Sequence, residues 1–259
     1  MHAAKRLAPL ILLFSTALAS AQGTSVPPPP EWLDSNVRGN LRHGVQLLAA
    51  GDFEFAEAHF RSVRPAKPAS VYVNVSGAPR DYRRRATEAT RSALAAWNQA
   101  APDLVEFVET DEEESADVLI GFEYDVASRE GEDVKLVCGT TQRHSPHSQR
   151  DLEVRAVIRI AVYPHGVGGH DHKPTSLIHV VGHELGHFFG IGESDDNGDI
   201  MGPDEHRGNP ATEPSADDVQ RLRDLVALSD QLCALAQKKE KIEVPQEWQR
   251  EAEAEGEGD

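Results

Sequence analysis

With 259 residues, 43 acidic against 26 basic side chains and a formal net charge of −17, the chain is too negative to hold nucleic acid, whose phosphates demand basic patches. Its length allows one domain of ordinary size with appendages. No stretch after the first 21 residues approaches the ~20 apolar residues of a membrane span, so no membrane anchor is expected.

Residues 1–21 have the layout of a secretory leader. Lys5 and Arg6 form a basic start, Leu7 to Ala17 an apolar stretch, and Ala19-Ser20-Ala21 a small-residue cleavage pattern before Gln22. A secreted or periplasmic protein is the expectation. Pro27 to Pro30 form a stiff polyproline linker. Residues 31–64 then read as a helical hairpin. Leu41, Val45 and Leu48 fall at helical spacing, Gly51-Asp52 breaks the run, and Phe53, Ala56, Phe60 and Val63 resume it. Leu47 to Phe60 is similar to half of a tetratricopeptide unit, which cannot bury its own apolar face. The segment 22–66 is therefore either a permanent appendage packed on the rest of the chain or a removable pro-segment.

Pro65 and Pro68 mark a boundary. Val71, Val73 and Val75 alternate with Tyr72 and Asn74, which suits a strand. Asp81 is a plausible N-cap for a helix running to about Ala100, with Ala86, Ala89, Ala93, Leu94 and Trp97 as its apolar face. Leu104 to Val108 and Val118 to Phe122 read as strands, separated by an acidic turn at Asp111 to Glu114. Residues 123–150 are polar and are expected to form a long surface loop around a strand near Leu136–Thr140. Val154 to Val162 is a further strand. Strands, one helix, more strands and then helices argue for an α+β domain over residues 67–236. The stretch 237–259 begins basic and ends acidic, has few apolar residues and is expected to be a tail, disordered beyond about Trp248.

The chemistry is concentrated in His183-Glu184-Leu185-Gly186-His187-Phe188-Phe189-Gly190-Ile191-Gly192-Glu193. Two histidines at i and i+4 lie on one helix face, so both imidazoles can reach one metal ion. Glu184 stands next to the first histidine, placed to act as general base on a water that the metal polarises. Gly190 can end the helix and let the chain fold back, bringing Glu193 to the metal as a third ligand. Asp195, Asp196 and His206 are other candidates for that position. A catalytic zinc takes three protein ligands and one open position, and two histidines with one glutamate form a working set. A carboxylate ligand cancels one unit of the ion's charge, so such a site should acidify water somewhat less than a three-histidine one.

This segment resembles the metzincin clan of zinc endopeptidases, whose signature HExxHxxGxxH is followed by a Met-turn. Here Glu193 stands at the final ligand position, and Asp199-Ile200-Met201-Gly202-Pro203 resembles the Met-turn. The short spacing to Met201 points to the matrixin branch, which includes the matrix metalloproteinases. Further matches are Val71 to Val75 with the helix ending Ala95-Ala96-Trp97-Asn98, Ala116 to Phe122, and Ser215-Ala216-Asp217-Asp218-Val219 followed by Leu222 and Leu225. The resemblance covers roughly residues 67–235. It implies a zinc endopeptidase acting on proteins or peptides, with a twisted mixed five-stranded sheet, three helices and the metal helix beneath the sheet. It also implies that Met201 is an apolar floor under the metal and not a ligand. Some metzincins carry a tyrosine where this chain has Pro203. The hairpin has no cysteine, so it lacks the cysteine switch that keeps many matrixins latent.

The alternative is a zinc-containing, non-catalytic protein whose hairpin recruits a partner. His165, His170, Asp171 and His172 in a glycine-rich loop could hold a second, structural metal, but a rim beside the cleft is the preferred reading. His144 and His147 lie where the family's structural-zinc loop would fall, without an acidic partner. Asp195 to Asp199 reads as a polar turn rather than a calcium loop. His179 shares a helix face with His183 and is an outer donor, a cleft residue or a histidine without a role. Cys138 and Cys233 would form one disulfide in an oxidising compartment, or remain two free thiols. Nothing in the sequence speaks to oligomeric state.

Overall fold

A computed structural model describes residues 26–64, 67–124, 126–130, 133–144, 155–162, 174–203 and 210–249. The leader, His147, the His165–His172 loop and His206 lie outside the described residues, as does the side chain of His144. In chain order the elements are helices α1 (Ser35–Ala50) and α2 (Phe53–Arg61), strand β1 (Ala69–Asn74), helix α3 (Arg80–Ala100), and strands β2 (Phe107–Glu109) and β3 (Val118–Glu123). Strands β4 (Val126–Glu130), β5 (Asp133–Val137), β6 (Gly139–His144) and β7 (Arg155–Ala161) follow, then helices α4 (Pro174–Phe189) and α5 (Ala216–Lys238).

The main sheet has five strands in the order β2-β1-β3-β7-β6. The first four run parallel, and β6 pairs antiparallel with β7, leaving β6 on the edge. This is the mixed five-stranded α+β sheet that the motif resemblance implies. Val118, Ile120 and Phe122 of β3 and Ala156, Ile158 and Ile160 of β7 alternate inward and are buried. They form one core with Trp97 of α3 and Leu177, Val181, Leu185 and Phe188 of α4. Trp97 donates its indole N–H to the Gly182 carbonyl at 2.9 Å, so α3 and α4 are tied by a buried hydrogen bond as well as by packing.

Local chemistry sets the helix ends. Asp34 caps α1 by accepting from the Asn36 N–H, and Gly51 ends it in the left-handed region at φ 89°. Asp52, the next residue, caps α2 by accepting from the Phe55 N–H. Ser215 and Asp218 form a capping box at the start of α5. Helix α3 differs from expectation: it starts at Arg80 after Pro79, with no side-chain cap. Asp81 falls in its first turn, where negative charge still favours the helix dipole.

The helical hairpin packs on the domain. Val37, Leu41, Val45, Leu48, Ala56, Phe60 and Val63 share a second core with Leu225, Leu228, Leu232 and Leu235 of α5. At ~1.5–3 kcal/mol per buried leucine, those four side chains alone stand to lose up to ~6–12 kcal/mol of burial if the hairpin leaves, an upper bound on area grounds. Polar ties reinforce it. Arg64 donates to the Val226 carbonyl at 2.8 Å and pairs with Asp230, while Ser229 donates to the Phe60 carbonyl at 2.8 Å. From β6, Arg143 donates to the Val63 carbonyl at 2.7 Å.

Two expectations need correction. Residues 104–106 are not strand, and only Phe107–Glu109 pairs with β1. The polar stretch read as loop contains a two-stranded antiparallel ribbon, β4 with β5. Main-chain pairing defines such a ribbon, so it leaves no apolar period to read. Residues beyond α5 also pack: Ile242, Val244 and Trp248 join the second core, and Trp248 is fully buried with its indole N–H donating to the Pro27 carbonyl at 2.8 Å. One tryptophan outweighs the polar composition around it. No disulfide joins Cys138, just before β6, to Cys233 in the second core. Among the described residues, no helix is long and apolar enough to cross a membrane.

Candidate active site

Helix α4 carries both histidines. Their imidazole centroids are 4.8 Å apart and nearly perpendicular. The helix ends at Phe189, and Gly190 takes φ 88°. Its N–H donates to the His187 carbonyl at 2.9 Å and that of Ile191 to the Gly186 carbonyl at 3.0 Å, closing the last turn. A Cβ at Gly190 would lie 2.6 Å from Val37 Cγ2, so both the backbone and the space require glycine. The chain then turns back, and Glu193 sets one carboxylate oxygen 3.4 Å from His183 Nε2 and the other 3.2 Å from His187 Nε2.

Each histidine is oriented through its other nitrogen. His183 Nδ1 meets the Ile200 carbonyl at 3.1 Å, and His187 Nδ1 the Ile191 carbonyl at 2.9 Å. A carbonyl can only accept, so Nδ1 carries the proton in both rings and each Nε2 faces Glu193. His183, His187 and Glu193 offer ligand atoms within 4.8 Å of one another, the only such group among the described residues. Asp195 and Asp196 are not part of it, and Asp196 instead accepts from the Gly198 N–H within its own turn.

The electrostatics suit a cation. Burial opposes a charged ring at His187, yet the hydrogen bond to Glu193 and the charges of Glu184, Glu193 and Asp34 lift its pKa to about 9. Burial would also raise Glu193, but the two imidazoles hold it far below the usual carboxylate range. His187 and the Glu193 carboxylate thus compete for protons in one small space, with His183 Nε2 beside them. A divalent ion that accepts all three would relieve that competition, and two nitrogens with one oxygen are a donor set that zinc takes.

Glu184 is buried, and burial pushes its carboxyl pKa up, partly offset by the charges of His187 and His183 and a hydrogen bond from Thr141. The Thr141 hydroxyl lies 2.6 Å from Glu184 Oε2 and 2.9 Å from the Glu184 carbonyl. Gly139 leaves room for this carboxylate, since a Cβ there would lie 2.5 Å from Glu184 Oε1. Met201 is fully buried beneath the helix, and a Cβ at Gly186 would come within 2.0 Å of its sulfur. Asp218 accepts from the Ile200 N–H at 3.0 Å while capping α5, which locks the methionine turn to the last helix. His179 is buried with Nδ1 on the Ala211 carbonyl at 2.8 Å.

Thr141, His179, His183, Glu184, His187 and Glu193 line a cleft of about 850 Å³, shared by α4, β6 and the turn at Gly202-Pro203. Leu33, Asp34 and Ser35 form part of its wall. Thr141, Gly139 and the Leu33–Ser35 wall escape sequence reasoning. No local pattern announces them, because pairing of β6 with β7 and docking of the hairpin bring them to α4.

The matrixin model of peptidase family M10 matches residues 67–227, well over half of the chain. The chain belongs to the matrixin family, which places it among the zinc metalloendopeptidases. A search of curated proteins returned no match.

Proposed function

We propose that the chain is a secreted or periplasmic zinc-dependent endopeptidase that hydrolyses peptide bonds. The observation that carries this reading is the convergence of His183 Nε2, His187 Nε2 and the Glu193 carboxylate beside a buried Glu184. Those three side chains would hold the zinc. When bound, zinc would supply Lewis acidity, polarising the scissile carbonyl and lowering the pKa of water.

The protein's own groups account for the rest. Glu184 accepts the proton of the attacking water and passes it to the leaving amine. Thr141 holds that carboxylate in place by its hydroxyl. As the edge strand beside the cleft, β6 offers main-chain groups to which an extended peptide can add as a further strand. Met201 closes the floor and carries no ligand role. Among the described residues, the cleft lining holds no lysine or arginine against Asp34, Glu184 and Glu193, which favours substrates that are not strongly acidic.

The rival reading, a zinc protein that recruits a partner through the hairpin, loses support because the apolar face of the hairpin is already spent against α5. The test is hydrolysis of a quenched peptide library by the full chain, with and without a chelator, alongside Glu184→Gln. Zinc retention with a fall of about 10²–10⁴ in rate is the expected result for Glu184→Gln. Zinc-loaded, unmutated protein that cleaves nothing would refute the reading.

A further inference from the structure

The residues before 67 fall outside the family match, yet they reach the metal-ligand group. Leu33 forms an antiparallel bridge with Ile191. The Asp34 N–H donates to the Gly190 carbonyl at 3.0 Å, and the Gly192 N–H donates to the Trp32 carbonyl at 2.8 Å. Gly190, Ile191 and Gly192 are all that separates the end of α4 from Glu193. Contact is close throughout: a Cβ at Gly192 would lie 2.8 Å from the Trp32 carbonyl oxygen and 3.2 Å from the Asp34 nitrogen. The Asp34 carboxylate lies 3.7 Å from His187 Nδ1.

Resting on the metal-site reading above, we propose that the Trp32–Ser35 segment is a permanent positioning element of that site. Its backbone fixes the Gly190–Gly192 loop that delivers Glu193, and Asp34 stands behind His187. A loop with two glycines has many conformations open to it. Main-chain pairing removes most of them before the ion arrives, so the three donors are held ready. Asp34 adds a negative charge on the far side of a ligand ring, where an outer carboxylate strengthens an imidazole as a ligand. A latency segment would fill the cleft, whereas Leu33, Asp34 and Ser35 bound it. The hairpin therefore stays on the working protein and is not removed as a pro-segment.

Cobalt(II) loaded into the full-length protein reports ligand geometry through its visible bands, and competition against a chromophoric chelator gives zinc affinity. Gly192→Ala sets a Cβ against the Trp32 carbonyl, and should weaken zinc binding about 10-fold and alter the cobalt spectrum. Asp34→Asn keeps the α1 cap and guards against a folding artefact; it should weaken zinc binding about 3-fold, less than the 10–100-fold of directly bonded outer partners, because the carboxylate stands off the ring. Mass spectrometry of the active fraction should find residues 26–64 retained. Zinc affinity and cobalt spectra unchanged in both variants, or an active species that has lost these residues, overturns the proposal. Peptide cleavage plays no part in the metal readout. A chain that binds cobalt but cleaves nothing therefore defeats the peptidase reading and still decides this one.

Discussion

Replacing Thr141 with valine removes one hydroxyl at nearly constant volume, and it tests how Glu184 is held. That hydroxyl has one proton to give, with the Glu184 carboxylate at 2.6 Å and the Glu184 carbonyl at 2.9 Å. When Glu184 is ionised, Thr141 donates to the carboxylate. When Glu184 is protonated, the acid donates to Thr141, whose own proton turns to the carbonyl. The hydroxyl therefore serves both states, but serves the ionised one better. A hydrogen bond to a charged group contributes ~1.5–3 kcal/mol and a neutral one ~1 kcal/mol. The difference, about 1 kcal/mol or more, is what Thr→Val takes from the ionised base, so its pKa should rise. Burial already pushes it upward and the Thr141 bond acts against that. In its proposed role as base Glu184 works ionised, so raising its pKa moves the acid limb of the kcat/KM profile to higher pH. Activity should fall about 5- to 10-fold on the acid side and recover in part as pH rises. The assay is quenched-peptide hydrolysis across the neutral range at matched zinc content. An acid limb that stays in place, with kcat/KM within about 2-fold throughout, refutes the argument.

Loss of the Glu193 carboxylate in Glu193→Ala should reduce zinc affinity by well over 100-fold, more than an outer partner costs, as read by chelator competition. Unchanged metal content would return the third-ligand position to another residue. In Gly186→Ala the new methyl meets the fully buried Met201 sulfur at 2.0 Å, and such overpacking should cost ~1–3 kcal/mol, read as a melting point lower by roughly 3–10 °C. Trp248→Ala should destabilise by ~3–5 kcal/mol in urea unfolding, as for any fully buried tryptophan; an effect near zero would mean that residues 240–249 do not pack against the hairpin.

Much of the site is legible in the chain because its chemistry is local. The i, i+4 spacing of His183 and His187 needs only a helix to put two rings on one face, and Gly190 at φ 88° is the turn that brings Glu193 back. Strands β1, β3 and β7 are legible for the same reason: one buried face leaves a period of two in Val71, Val73 and in Val118, Ile120, Phe122. Met201 is legible through its distance from the motif, although its contact with Gly186 is not. The ribbon β4–β5 left no such trace, since pairing of backbones imposes no apolar rhythm.

By itself, the sequence determined the matrixin class, the helix that carries two of the three candidate metal donors and the glutamate between them. Those depend on neighbours within a few residues, where geometry follows from the helix repeat. Only the tertiary structure decided what surrounds them. It brought Thr141 to Glu184 from the edge of the sheet, tied Trp32 and Asp34 to the loop before Glu193, and buried Trp248 against a linker at the other end of the chain. Each of these joins residues far apart in sequence, and such contacts are chosen by the packing of whole elements, which no local pattern records.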